Sequence, residues 1–205
     1  PAHWTRFRAF DWGSAKPFSC GWYAVADGKS LGFPEGALLK YREFYGWNGT
    51  PNVGLRMSAL AVGKAIFERD LEEAQLGRNI TYGLADPSIF AEDGGPSIAE
   101  SMLSGGCQWA RADNKRIPGW EQMHVRFQAD PPLLYFSDAC EHTIRCVSSV
   151  QHDETKPEDL DTEGEDHAVD ETRYACNSRP LVTKLRPASP TIVHRKSVTE
   201  MNFNE

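Results

Sequence analysis

The chain is expected to fold as an α/β domain: a mixed sheet, three antiparallel strands and then parallel ones, with helices on both faces. Two observations predict this. The apolar period changes from strand-like to helical after about residue 50, and from there helical and strand-like segments alternate. A third observation is length, since 205 residues are enough for one sizeable core and short for two. The expected division is one domain over residues 1–178 and an extended or mobile tail over residues 179–205.

The elements follow in order. Residues 6–13 (RFRAFDWG) alternate briefly and end at a glycine, as a strand opening into a turn does. A second aromatic and β-branched run, 18–26, is closed by Asp27-Gly28, a hairpin signal. A Gly/Pro-rich connection leads to a third strand over 37–47, which completes an antiparallel meander. Between residues 54 and 74, Leu55, Ala59, Val62, Ile66 and Leu71 recur at helical spacing. Residues 80–85 form a short strand stopped by Asp86-Pro87, and a helix is expected from Pro96-Ser97 to Gly105-Gly106. Residues 107–112 are a fifth strand, parallel to the fourth by the crossover rule. A helix (117–127), a short strand (133–136) and another helix (140–150) follow. Residues 151–165 are acidic and turn-rich, 166–176 resume a helix, and the tail carries Pro180, Pro187 and Pro190.

Composition narrows the function classes. Hydrophobic residues at 40% and charged residues at 25% disfavour both disorder and a membrane class. No apolar run approaches a membrane span, and Pro1-Ala2-His3-Trp4 lacks the layout of a signal peptide. A soluble, intracellular protein is expected. Five cysteines form no CxxC pair and their number is odd, so reduced thiols are expected rather than disulfides or structural zinc. The net charge of -7 argues against a broadly basic nucleic-acid binder, yet a site that holds metal with clustered carboxylates carries acids at its centre.

Such acids exist. Asp11 ends the first predicted strand, sharing a face with Phe7 and Ala9, and Asp86 ends the fourth. Groups at adjacent strand ends of an α/β sheet can share a crevice. In the late helix, Asp166, His167 and Asp170 fall on one side at spacings of three and four. Close carboxylates repel unless a cation intervenes, and two magnesium or manganese ions would relieve that repulsion and supply phosphodiester hydrolysis. Each residue also has a plainer role open to it. Asp166 can serve as a helix N-cap, Asp86 and Asp11 as turn aspartates, and His167 as a surface histidine bonded to Asp170.

In four segments, taken in order, the sequence resembles the C-terminal nuclease domain of the large terminase subunit of tailed bacteriophages: Phe10-Asp11-Trp12-Gly13, residues 82–87 (YGLADP), residues 112–120 (ADNKRIPGW) and residues 166–174 (DHAVDETRY). The resemblance spans about residues 5–178. It implies a ribonuclease H-like fold and a magnesium- or manganese-dependent endonuclease that cuts concatemeric double-stranded DNA during packaging. Carried over, Asp11, Asp86 and Asp170 correspond to metal ligands, His167 to a histidine one turn before the last aspartate, and Asp166 to a possible fourth acid. Host-cytoplasmic action at the procapsid portal, with the portal protein and small terminase subunit as partners, is implied as well. No GxxxxGK[ST] phosphate loop occurs, so the packaging ATPase is expected to be absent from this chain and the sequence to represent a detached nuclease domain.

Contacts to DNA are expected from Arg6, Arg8 and Lys16 around the first strand and from Lys115 and Arg116 in the third segment. Lys184, Arg186, Arg195 and Lys196 of the tail are further basic candidates for DNA or the portal protein. Two other readings stay open: a ribonuclease H-like junction resolvase or transposase-type enzyme, and a non-catalytic DNA or portal docking module.

Overall fold

The computed structural model describes residues 1–151 and 164–181. Strands β1 (Arg6–Asp11), β2 (Ser19–Val25), β3 (Leu38–Tyr45), β4 (Ile80–Ala85), β5 (Ala110–Arg111) and β6 (Leu134–Phe136) form one sheet in the order β5-β4-β1-β2-β3-β6. β1, β2 and β3 are the expected antiparallel meander. β4 runs parallel to β1, β5 parallel to β4, and β6 parallel to β3. The helices are α1 (Ala59–Gln75), α2 (Ile98–Ser104), α3 (Arg116–Gln128), α4 (Glu141–Ser149) and α5 (His167–Asn177).

Strand alternation sorts most of the buried side chains into two cores, beside a smaller cluster of Trp4, Ala24, Ala26 and Ala37. Phe7 and Ala9 of β1 join Tyr23 and Leu38 under α5, where Val169, Tyr174 and Cys176 pack with Met123 of α3 and Cys146 of α4. Phe7 is held between Tyr23 and Tyr82, with ring centroids 5.3 and 5.0 Å away. On the opposite face, Phe10, Cys20 and Trp22 meet Val62 and Ile66 of α1 and Met102 of α2. The sheet is therefore covered on both faces, and a β1 residue of odd number points toward α5. That parity aims Asp11 at the α5 side.

The structure moves several expected boundaries. α1 starts at Ala59 rather than near residue 54, because Ser58 is the N-cap and accepts from the Ala61 N–H at 3.2 Å. Upstream, Arg56 has φ 55°, which no helix tolerates, and Gly54 bridges Trp47. The Asp27-Gly28 turn does not make a tight hairpin. Asp27 instead accepts from the backbone N–H groups of Lys29 and Ser30 and opens a longer connection before β3. β5 shrinks to two residues, since only Ala110 and Arg111 pair with β4, while Cys107 and Trp109 before them are buried, Trp109 stacking on Phe10 at 5.0 Å. α2 begins where expected, with a capping box between Ser97 and Glu100.

The packed chain continues three residues past Ser178. Arg179 Nε donates to the Tyr82 hydroxyl at 3.1 Å, and the Leu181 N–H donates to Gln122 Oε1 at 2.7 Å. The rest of the expected tail, with Lys184, Arg186, Arg195 and Lys196, lies outside the described residues, as do residues 152–163 of the acidic stretch. All five cysteines are free and buried, in line with reduced thiols. Among the described residues no helix is long and apolar enough to cross a membrane.

Candidate functional site

Parallel pairing of β1 with β4 puts Phe10 opposite Ala85, so Asp11, the last residue of β1, and Asp86, just past β4, lie side by side. The Asp86 N–H donates to the Phe10 carbonyl at 3.1 Å and fixes that junction. Asp86 also caps the short 3₁₀ turn Pro87–Phe90, its Oδ1 accepting from the Ser88 N–H at 2.7 Å. The turn role and a place at the crevice thus coexist in one side chain.

α5 closes the crevice. His167, Asp170 and Tyr174, three and four residues apart, share one stripe of the helix. The Tyr174 hydroxyl stands 2.8 Å from Asp86 Oδ2 and 3.1 Å from Asp11 Oδ1. His167 Nδ1 lies 2.5 Å from Asp11 Oδ2, so this histidine pairs with Asp11 rather than with Asp170. Its Nε2 is buried and without a hydrogen-bond partner among the described residues. Asp170 is held by Arg173, whose Nε and Nη2 reach Oδ1 at 3.0 and 2.9 Å, and Arg116 stands 3.6 Å from Oδ2. Asp166 occupies the N-cap position of α5, but its side chain makes no capping bond.

The electrostatics show acids crowded together. Burial pushes the Asp11 carboxyl up to about 6, and the charges of Asp170 and Asp86 add to the rise while His167 opposes it. Asp166 is raised by burial and by Asp170. Burial also raises Asp86, but hydrogen bonds from Ser88, Tyr174 and Asn114 outweigh it and leave the group below its ordinary value. Burial lowers His167, yet its contact with Asp11 and the charges of Asp11 and Asp166 keep it above the usual imidazole range.

Among the described residues no three carboxylate, imidazole or thiol groups already converge on one point. Tyr174 stands between Asp11 and Asp86, and Arg173 holds Asp170. The donor chemistry nevertheless fits a hard divalent cation. The groups are oxygen-rich and mutually repelling, and a buried imidazole nitrogen beside them lacks a partner.

Two of the expected DNA contacts are corrected. Arg6 is 5% exposed and donates to the carbonyls of Pro1, Ala2 and Trp4, tying down the N-terminal turn. Arg8 is 6% exposed, ion-paired with Asp70, bonded to the Gln108 carbonyl and stacked over Trp109. Even-numbered β1 residues face α1, away from the crevice, so neither guanidinium reaches a phosphate there. Lys16 and Lys115 are exposed, and Arg116 is partly so. Lys16 acts electrostatically on Asp166 and His167, while Arg116 contacts Asp170, so basic groups flank the acids on two sides.

The sequence reading missed Arg173 and Tyr174. Their signal was helical spacing: Tyr174 follows Asp170 by four and Arg173 by three. Arg173 also ties the third segment to α5, donating to the carbonyls of Asn114 and Lys115 at 2.8 and 3.3 Å. Gly119 is required there, since a Cβ would stand 2.4 Å from Arg173 Cγ.

No family model and no curated protein matches the sequence. Solved structures do match. The P22 large terminase nuclease domain superposes with a TM-score of 0.64 at 14% identity, over 87% of this chain and 83% of that one. The large terminase of a thermophilic bacteriophage gives a TM-score of 0.64 at 17% identity, over 85% of this chain and 39% of that one. The chain thus spans well under half of that terminase. The fold is that of a large terminase nuclease domain, ribonuclease H-like, as the four segments led one to expect.

Proposed function

We propose that this chain, folded as a phage large terminase nuclease domain, is a metal-dependent endonuclease that cleaves concatemeric double-stranded DNA in viral genome packaging. The observation that supports the reading is the crevice itself: Asp11 at the end of β1 and Asp86 just past β4 share the Tyr174 hydroxyl, and Asp170 and His167 of α5 flank them. Two magnesium or manganese ions held by Asp11, Asp86 and Asp170, with Asp166 as a further donor, would supply the activated water and the counter-charge for the leaving oxygen.

The remaining steps belong to the chain. His167 Nδ1 holds Asp11 Oδ2 and sets the direction of that carboxylate. Arg173 and Arg116 hold the carboxylate of Asp170. Lys16 on one side, and Lys115 with Arg116 on the other, meet the phosphates of a duplex laid across the acids. In the whole motor the domain would work at the procapsid portal in the host cytoplasm, with portal protein and small terminase subunit, its ATPase supplied by other sequence.

Each of Asp11→Ala, Asp86→Ala and Asp170→Ala is expected to abolish manganese-dependent nicking of a plasmid while circular dichroism stays that of the parent. Full activity in any one removes that residue from the site. A second reading, a non-catalytic docking module for DNA or portal, is favoured by one observation: the three carboxylates are already hydrogen-bonded within the chain. Calorimetry separates the two, because a docking module shows no manganese binding that depends on Asp11 and Asp170.

A further inference from the structure

We infer that Tyr174 is a positioning residue that holds Asp11 and Asp86 at the spacing a shared divalent cation needs, an inference that rests on the metal reading of the site given above. Asp11 and Asp86 project from two different strands, and their charges push them apart. His167 holds Asp11 Oδ2 and the Ser88 N–H holds Asp86 Oδ1, but neither bond joins one carboxylate to the other.

Tyr174 supplies that setting from a third element. Its side chain is 2% exposed, its ring lies 4.6 Å beneath the Arg173 guanidinium, and α5 is anchored to the sheet on its other side by Glu171 and Lys40. The hydroxyl position is thereby fixed by packing. Contacts of 3.1 and 2.8 Å to one atom leave Asp11 Oδ1 and Asp86 Oδ2 within about 6 Å of each other. Oxygens bound at about 2.1–2.4 Å to one cation stand at most about 4.2–4.8 Å apart, a separation that lies inside this limit.

A hydroxyl has one proton, so it serves one of the two carboxylates fully and leaves the pair short of a donor. Each oxygen keeps a lone pair for an ion. Groups that hydrogen-bond a metal-ligating side chain set its orientation, and their loss costs about 10–100-fold in metal affinity.

The test is Tyr174→Phe in the whole chain, which keeps the ring and removes only the hydroxyl. Manganese binding is measured by calorimetry, alongside thermal melting and the dependence of plasmid nicking on manganese concentration. The expected result is binding weakened by about 10-fold, with the melting transition retained and nicking recovered at saturating manganese. Affinity unchanged or tightened in Tyr174→Phe overturns the inference. If the parent chain itself binds no manganese, the metal reading fails first, and the role of Tyr174 fails with it. Should the variant not fold, the parent chain carrying ζ-¹³C tyrosine answers the question: magnesium saturation must shift one tyrosine resonance, and a spectrum unmoved by magnesium overturns the inference.

Discussion

Asp170 and Glu171 are neighbours in the chain, both acids on α5, and they stand in opposite environments. One residue of helix is a rotation of about 100°, which carries Glu171 away from the crevice and down onto the sheet. There it is fully buried and meets Lys40, also fully buried, whose ammonium donates as well to Thr143 at 2.6 Å. Gly21 leaves room for the pair, since a Cβ at that position would lie 2.5 Å from both Glu171 Oε1 and Lys40 Cε. The crevice side is different: Asp11, Asp86, Asp166 and Asp170 outnumber the cations they touch. An acid matched one to one by a buried base is an anchor. Four acids that share the charges of His167, Arg173 and Arg116 keep a negative excess, and that is a place for a cation.

The largest expected effect lies on the anchor side. Breaking a buried pair leaves an uncompensated charge, so Glu171→Ala or Lys40→Ala should lower stability in urea by about 3–5 kcal/mol. The double change Lys40→Met with Glu171→Leu should regain most of that loss, because a well-packed apolar pair avoids the desolvation cost. Asp170→Asn, one residue away, should remove nicking at a smaller cost in stability, because the amide oxygen still accepts from Arg173. Equal destabilisation by Asp170→Asn and Glu171→Ala would erase the contrast.

A smaller effect appears in the pH dependence of the crevice. The folded protein holds the proton of Asp11 to about pH 6, above the ordinary 3.8, so the folded state binds more protons than the unfolded one between those values. Stability from this group is therefore greatest in acid and falls as pH rises through that window, by about 3 kcal/mol in all. Without divalent ions, Asp11→Asn should gain on the parent as pH goes from 4 to 7. A parallel pair of stability curves would contradict the crowding at Asp11.

The smallest effects concern surface charge. Lys16→Ala and Lys115→Ala should each weaken DNA binding and reduce the salt slope by about 1, without changing the melting temperature. Arg8→Ala should do the reverse, lowering the melting temperature through loss of the Asp70 pair. Salt titrations of DNA binding on the three variants check this ordering.

Much of this was legible in the residues. Among the described residues, apolar periodicity located the strands and the α-helices within about five positions but not the 3₁₀ turn Pro87–Phe90, because burial on one face imposes a period of two or 3.6 whatever the neighbours are. Asp11 at a strand end and the His167, Asp170 spacing were legible for the same reason. Arg6 and Arg8 were not, since a short alternating run does not say which face a second helix will cover. α1 began late because Arg56 sits at positive φ, a conformation its residue type does not announce.

The sequence by itself determined the order of elements, the parity that puts Asp11 on one face with Phe7 and Ala9, and the set of acids, since these depend on neighbours a few residues apart. Only the tertiary structure decided which acid meets which partner. His167 turned to Asp11, Arg173 took Asp170, Tyr174 bridged Asp11 to Asp86, and Glu171 found Lys40. Those pairings join residues as many as 163 positions apart. They depend on how α5 rotates and seats on the sheet, which many distant contacts settle together and no local pattern encodes.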